Sequence, residues 1–157
     1  MVAPDDVVVT AVDPNHPHAQ HCLAAYFADI DARFATGFDP DTALPIDLDS
    51  LRPPLGTFLV ATLDDEPIGC CALKHGHTEP PEVKRMWVSP TARGLGLGRR
   101  LLDEIEALAH RSGATVLRLD TNASLVEAIA LYRSVGYVEV PRFNDEIHAD
   151  HWFEKRL

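Results

Sequence analysis

The sequence predicts a single α/β domain built on a central mixed, mostly antiparallel β-sheet. Segments rich in β-branched residues alternate with segments whose apolar residues recur every three to four positions, as in amphipathic helices. Residues 57–88 contain three strand-like segments joined by turns, the pattern of an antiparallel meander. The length of 157 residues suits one domain, which we expect to span residues 1–157.

The first 56 residues predict a strand, a helix and a long loop. Residues 7–12 are mostly β-branched and predict the first strand. The next helix runs to about Ala35, because one apolar stripe contains Cys22, Leu23, Tyr26, Phe27, Ile30 and Phe34. Residues 36–56 are rich in Asp and Pro, which favours a functional loop with room for a short helix.

The meander follows in order from residue 57. Strands at 57–63 and 68–74 flank the turn residues 64–67, Asp-Asp-Glu-Pro, and are expected to form a hairpin. A third strand at 83–88 completes the meander and ends before Pro90.

The second half alternates helix and strand. A helix following the glycine-rich segment ends at about Ser112, and a strand at 115–120 comes next. Ser124 and Glu127 have the spacing of a capping box, which predicts that a helix begins there. With strands at 137–140 and 151–157, the totals are six to seven strands and about four helices.

Charge and composition narrow the function classes. A formal net charge of −10 argues against nucleic acid or an anionic membrane as a partner, since both are bound mainly by Lys and Arg. Long apolar runs and a signal sequence are not apparent, so we expect a soluble, cytoplasmic protein. The three cysteines predict reduced, buried thiols. The histidines lack the spacing of metal ligands, so no metal is expected.

The segment Arg93-Gly94-Leu95-Gly96-Leu97-Gly98-Arg99 lies between a predicted strand and a predicted helix. Glycines let a backbone approach a ligand closely, and the free N–H groups at a helix start bind phosphate. The segment therefore predicts an anion cradle, although a tight turn without a ligand remains an alternative. Arg at position 99 disfavours a dinucleotide fingerprint, and Gly-Lys-Ser/Thr of a nucleotide P-loop is missing.

Two motifs carry a family resemblance. Arg93-x-x-Gly96-x-Gly98, after a strand ending Met86-Trp87-Val88, resembles the pyrophosphate motif of the GNAT superfamily of acyl-CoA N-acyltransferases. The segment Ala128-Ile129-x-Leu131-Tyr132-x-x-x-Gly136-Tyr137 resembles the second signature of that family. The C-terminal segment 143–155 is similar to an uncharacterised bacterial subgroup of it.

The resemblance implies a GNAT fold in which strands 83–88 and 115–120 splay apart around the pantetheine arm of acetyl-CoA. Where the family commonly has Asn, this chain has Leu125, and Asn122 is a candidate substitute. The residues implied to bind coenzyme A are Met86, Trp87, Val88, Arg93, Gly94, Leu95, Gly96, Leu97, Gly98, Arg99 and Asn122.

The resemblance also implies the reaction, acetyl transfer from acetyl-CoA to a primary amine of a small molecule. Glu82 would be the general base and Tyr132 the general acid. The alternatives are a strand-end charge for Glu82 and a core residue for Tyr132. At the level of the protein, the alternatives are a protein or peptide N-acetyltransferase and a non-catalytic acyl-CoA-binding sensor module. The family is also compatible with a homodimer, for which the final strand offers an edge or a swap element.

The family places its acceptor beside the first helices and the C-terminal strands. Because Asp is concentrated early in the chain, we expect a cationic acceptor attracted by Asp39, Asp41, Asp47 and Asp49. A solvated acidic face is the alternative. Three histidines could line the acceptor pocket: His75, His148 and His151.

Overall fold

A computed structural model describes residues 4–39 and 48–157. The strands are β1 (Val8–Val12), β2 (Gly56–Leu63), β3 (Glu66–Lys74), β4 (Glu82–Val88), β5 (Val116–Thr121), β6 (Val138–Val140) and β7 (His151–Arg156). The α-helices of the described residues are α1 (Pro17–Arg33), α2 (Leu97–Arg111) and α3 (Val126–Ser134). The predicted α/β class is confirmed, and the described end of the long loop contains a short 3-10 helix at Leu48–Leu51.

The seven strands of the described residues form one sheet in the order β1-β2-β3-β4-β5-β7-β6. Every neighbouring pair is antiparallel except β4 and β5, which are parallel, so the predicted mixed, mostly antiparallel sheet is confirmed. The expectation that the final strand offers an edge is wrong, because β7 pairs with β5 on one side and β6 on the other.

The central strands β4 and β5 separate soon after they meet. A single residue pair, Glu82 with Arg118, joins them, and the Arg118 N–H donates to the Pro81 carbonyl oxygen at 3.0 Å. Beyond this point the parallel strands continue without pairing toward their carboxyl ends, so the predicted splay is confirmed. The gap lies between α1 and α3.

A β-bulge interrupts β4 beside this gap. Cys70 pairs with Trp87 and Ala72 with Lys84, so three steps along β4 face two steps along β3. Arg85 lies in the bulge with φ of 55°, in the left-handed region that non-glycine residues rarely adopt.

Helices cover both faces of the sheet. The alternation of β3 side chains directs Cys70 and Ala72 toward α1, and Cys71 and Leu73 toward α2. All three cysteines are buried free thiols, as expected, and the two adjacent ones lie on opposite faces. Packing on both faces leaves the diverging ends of β4 and β5 as the natural place for a ligand.

The predicted capping box at the start of α3 is wrong. The helix begins at Val126, its N-cap residue is Leu125, and no side chain caps it. The reason is a local competition, because Asn122 Oδ1 accepts hydrogen bonds from the N–H and the hydroxyl of Ser124, at 2.9 and 2.6 Å. Ser124 is therefore held in a turn ahead of the helix.

Candidate functional site

Two adjoining cavities occupy the gap between β4 and β5. The glycine-loop cavity, of about 470 Å³, is bordered by residues 93–94, residues 96–99 and the end of β4. The carboxylate cavity, of about 310 Å³, is bordered by Glu82, Asp120 and Glu146. The two cavities meet at five side chains that line both: Tyr26, Ile30, Met86, Leu125 and Ala128.

Most residues predicted to bind the cofactor line the glycine-loop cavity. The exceptions are Leu95, which packs against the main core, and Asn122. The residues that the structure brings together there are Met86, Trp87, Val88, Arg93, Gly94, Gly96, Leu97, Gly98 and Arg99.

The glycine loop has the geometry of an anion cradle. Gly94 and Gly96 have φ of 86° and 72°, and a Cβ at either position would meet no atom within 4 Å. Glycine is therefore required there by backbone conformation, and the space above it is open. The first N–H bonded within α2 is that of Arg100, to the Gly96 carbonyl oxygen, which leaves the preceding amides unused by the helix. These amides and the positive end of the helix dipole can hold phosphate.

A chain of charged side chains also lines the glycine-loop cavity and connects the loop, α1 and α3. Arg33 donates to Asp29 at 3.2 Å and to Glu127 at 2.6 Å, and Arg93 lies 4.0 Å from Asp29. Arg33 lowers the pKa of the exposed Glu127 carboxyl. Sequence reasoning identified only Arg93 in this group, because the partners belong to segments far apart in the chain.

The carboxylate cavity contains an ammonium between two carboxylates. Lys84 Nζ lies 3.3 Å from Glu82 Oε1 and 3.2 Å from Asp120 Oδ2. Burial of Lys84 acts to lower its pKa, but the attraction of Asp120 and Glu82 outweighs burial and raises the pKa above its ordinary value. Lys84 is therefore an ammonium at neutral pH and unsuited to be a base.

The two carboxylates differ in how fully they are bonded. Asp120 Oδ2 accepts from Lys84 and also from Asn144 Nδ2, at 2.7 Å, while Asn144 Oδ1 accepts from Trp152 Nε1 at 2.9 Å. Buried Glu82 Oε1 has no aligned hydrogen bond within the described part of the chain. Glu82 is thus better placed than Asp120 to receive a proton from a ligand. The sequence analysis did not identify Asp120. The feature that could have identified it is its position near the end of β5, where this strand separates from β4.

Tyr132 lines the same cavity as Glu82, so the structure brings the predicted acid and base together. Its side chain is 5% exposed, and burial raises the pKa of its hydroxyl above the ordinary value. The phenol therefore stays protonated at neutral pH, as a general acid requires. Its ring also packs at 5.8 Å from that of Tyr137, so Tyr132 is part of the core as well.

Asn122 is not at the glycine-loop cavity. Its Nδ2 donates to the His148 carbonyl oxygen at 2.8 Å, and its Oδ1 accepts from Ser124. These bonds tie the end of β5 to the segment before β7, so the structure gives Asn122 an internal role at the wall of the carboxylate cavity.

Of the four aspartates behind the expected cationic acceptor, the two that the structure describes line neither cavity. Asp49 is 72% exposed and pairs with Arg52, and neither Asp49 nor Asp39 lines a cavity. Asp41 and Asp47 lie outside the described residues. For Asp39 and Asp49 the prediction is not supported, because a local excess of one charge does not determine which way the side chains face.

Of the three histidines expected at the acceptor pocket, only His148 lines it, where its ring centroid lies 4.6 Å from that of Phe38. His75 lies outside the lining of both cavities, and His151 is instead bonded to Glu139 at 2.8 Å. Within residues 4–39 and 48–157, no three potential metal ligands cluster. No helix in those ranges has the length and apolar character needed to cross a bilayer.

The sequence and the fold are similar to known acetyltransferases. A family model for an acetyltransferase (GNAT) domain matches residues 54–139. An IAA acetyltransferase of Azospirillum brasilense is 42% identical over 98 residues, covering 60% of this chain and 62% of that protein. The N-alpha-acetyltransferase RimI of Mycobacterium tuberculosis is 32% identical over 125 residues, covering 78% and 73%.

The fold is also similar to that of solved acyltransferase structures. A Klebsiella pneumoniae protein assigned as an acyl-CoA N-acyltransferase matches with a TM-score of 0.80 at 28% identity, over 96% of this chain and 97% of the other. The similarity to curated relatives is local in several cases, since the matched part spans 62%, 36% and 53% of the length of three of them.

Proposed function

Because the chain belongs to the GNAT acetyltransferase family, we propose that it transfers the acetyl group of acetyl-CoA to a primary amine of a small molecule. One observation carries the proposal: an anion cradle and a cavity containing an acid and a base adjoin in the gap between β4 and β5. Family membership alone would leave open whether this chain kept the catalytic groups.

The residues of the glycine-loop cavity fit coenzyme A. The unused amides before Arg100, with Arg93 and Arg99 beside them, would hold the pyrophosphate. Backbone groups of Met86 and Val88, which β5 does not pair with, would hold the pantetheine arm. When bound, acetyl-CoA supplies a thioester carbonyl carbon that an amine can attack.

The chain's own residues then handle two protons. Glu82 Oε1 accepts a proton from the acceptor's ammonium, which frees the nitrogen lone pair for attack. The Tyr132 hydroxyl gives its proton to the sulfur that leaves and takes up the second proton that the nitrogen loses as the amide forms, while Glu82 passes its proton to solvent. The Lys84 ammonium keeps the Glu82 carboxylate oriented and offsets its negative charge before the acceptor binds.

The size of the carboxylate cavity favours a small acceptor. A volume of about 310 Å³ lies at the lower end for ligand pockets. On the α1 side the cavity is lined by Phe34, Phe38 and His148. A peptide N-terminus is the second candidate, favoured by the similarity to RimI of Mycobacterium tuberculosis.

Thiol release from acetyl-CoA tests the proposal. The purified chain is assayed with a panel of amines, amino acids and short peptides, beside Glu82→Gln and Tyr132→Phe. Glu104→Gln, on the exposed face of α2, is the matched control. Turnover that is lost in both cavity variants and kept in the control supports the enzyme. Coenzyme A binding without acetylation of any amine would instead indicate a sensor module.

A further inference from the structure

The carboxylate cavity contains three cationic side chains, and only one of them forms an ion pair with a described residue. Lys84 lies between Glu82 and Asp120. Lys74 and Arg85 also line the cavity, yet neither has a carboxylate within ion-pair distance in the described part of the chain. The lining also contains three carboxylates, those of Glu82, Asp120 and Glu146, so what the cavity offers a ligand is a local cation, the Arg85 guanidinium, that no described carboxylate pairs with.

Arg85 is held in place without an ion pair. Its guanidinium Cζ lies 5.6 Å from the ring centroid of Tyr26 and 5.2 Å from that of Phe27, both on α1. Aromatic faces attract a cation and fix the plane of the guanidinium without using up all of its N–H donors. The bulge and the φ of 55° bring this side chain to the cavity, and such strain is often retained where function needs it.

We propose that the acceptor carries a carboxylate beside its amine, and that Arg85 binds this carboxylate while Glu82 receives the amine. The inference rests on the proposed function and names its substrate class, amino acids and related amino carboxylates. Arginine pairs with a carboxylate through two parallel hydrogen bonds, which also orients the acceptor. A diamine would place a second positive charge against Arg85 and Lys74, so it is disfavoured.

Matched acceptors isolate this contact. Each amino acid is assayed beside its carboxamide and its decarboxylated amine, using wild type, Arg85→Gln, Arg85→Lys and the exposed control Arg111→Gln. We expect wild type to prefer the carboxylate acceptor, and Arg85→Gln to reduce that preference in kcat/KM by about 10- to 100-fold, the range for a hydrogen bond to a charged group. Arg85→Lys should restore part of it, and Arg111→Gln should match wild type.

A binding measurement separates this inference from the function on which it rests. Calorimetry measures the binding of N-acetyl amino acids, and of their amides, to the protein in the presence of coenzyme A. Binding that needs both the carboxylate and Arg85, without any acetylation, would support the site and overturn the proposed function. Equal acetylation of acids and amides in wild type and Arg85→Gln would overturn the site and keep the function. Carboxylate acceptors that are neither bound nor acetylated would overturn the site, and the absence of acetylation of every acceptor in the panel would overturn the function as well.

Discussion

Gly98 packs directly against Leu131, so closely that a Cβ at position 98 would lie 2.9 Å from Leu131 Cδ2. Both residues line the glycine-loop cavity, and they belong to the two separate motifs that carry the family resemblance. The contact gives the joint presence of the motifs a physical reason: α2 and α3 approach at a position where one of them has no side chain.

Gly98→Ala is therefore expected to affect ligand binding more than folding. Alanine favours the helix by up to about 1 kcal/mol over glycine, which offsets much of the crowding against Leu131. Displacing Leu131 toward the cavity should weaken coenzyme A binding by roughly tenfold, measured by calorimetry. The double variant Gly98→Ala/Leu131→Ala should bind coenzyme A more tightly than either single variant. Losses of affinity that simply add would contradict the contact between the two residues.

Glu127→Gln should tighten coenzyme A binding. The Glu127 carboxylate lines the glycine-loop cavity and engages Arg33, so its removal deletes a negative charge near a polyanion and leaves Arg33 paired with Asp29 alone. We expect a gain of about two- to fivefold at low salt that shrinks as salt is added, since the group is largely exposed. Glu104→Gln is the charge-matched control. Weaker binding by Glu127→Gln would mean that the ion pair is needed to position α1.

Tyr132→Phe should lower kcat by about 100-fold or more, with little change in coenzyme A affinity. Because burial raises the pKa of Tyr132, loss of its proton should not reduce kcat until well above pH 10, so the wild-type profile should show no alkaline fall from this group below that pH. The matched control is Tyr137→Phe, whose ring lies 5.8 Å away but does not line either cavity. Equal loss in both variants would indicate a packing effect.

Tyr137→Phe carries its own stability prediction. The Tyr137 hydroxyl is buried and has no hydrogen-bond partner within the described residues. A buried polar group without a partner is unfavourable, so removing the oxygen should raise the free energy of unfolding by about 1 kcal/mol in urea titrations. The Glu106 carboxylate lies near enough to contribute to the raised pKa of Tyr137, so a loss of stability would show that the hydroxyl is hydrogen-bonded to Glu106 or to water.

The sequence predicted the order of the strands along the chain and the glycine loop, because periodicity and short motifs are local properties. The roles of Glu82 and Tyr132 came from the family resemblance and stay predictions. The sequence could not predict that Asp120 and Lys84 meet across the splayed strands, since that pairing depends on the sheet order. Arg85 was missed for a related reason. A bulge is a mismatch between two strands, and neither strand shows it alone. Ser124 shows that even local signals compete when Asn122 offers a nearer acceptor.

Lys84 should make part of the free energy of unfolding depend on pH in the alkaline range. Its pKa is raised above the ordinary value of about 10.4, so the folded state holds this proton more tightly than the unfolded state. The stabilisation is complete below that ordinary value and is lost as pH rises through the higher folded pKa. Lys84→Met should cost about 3 kcal/mol at pH 7, because it leaves Glu82 and Asp120 facing each other without a cation.

The difference between wild type and Lys84→Met is the quantity to follow, because buried tyrosines also titrate above pH 10. Urea unfolding from pH 7 to 11 should show a constant difference up to about pH 10, then a decrease as wild-type Lys84 loses its charge. Lys74→Met, in the same cavity but without a carboxylate partner in the described part of the chain, should show neither the cost nor the decrease. A difference that grows with pH would mean that Lys84 is held neutral in the folded state, and the ion-pair account of the cavity would then be wrong.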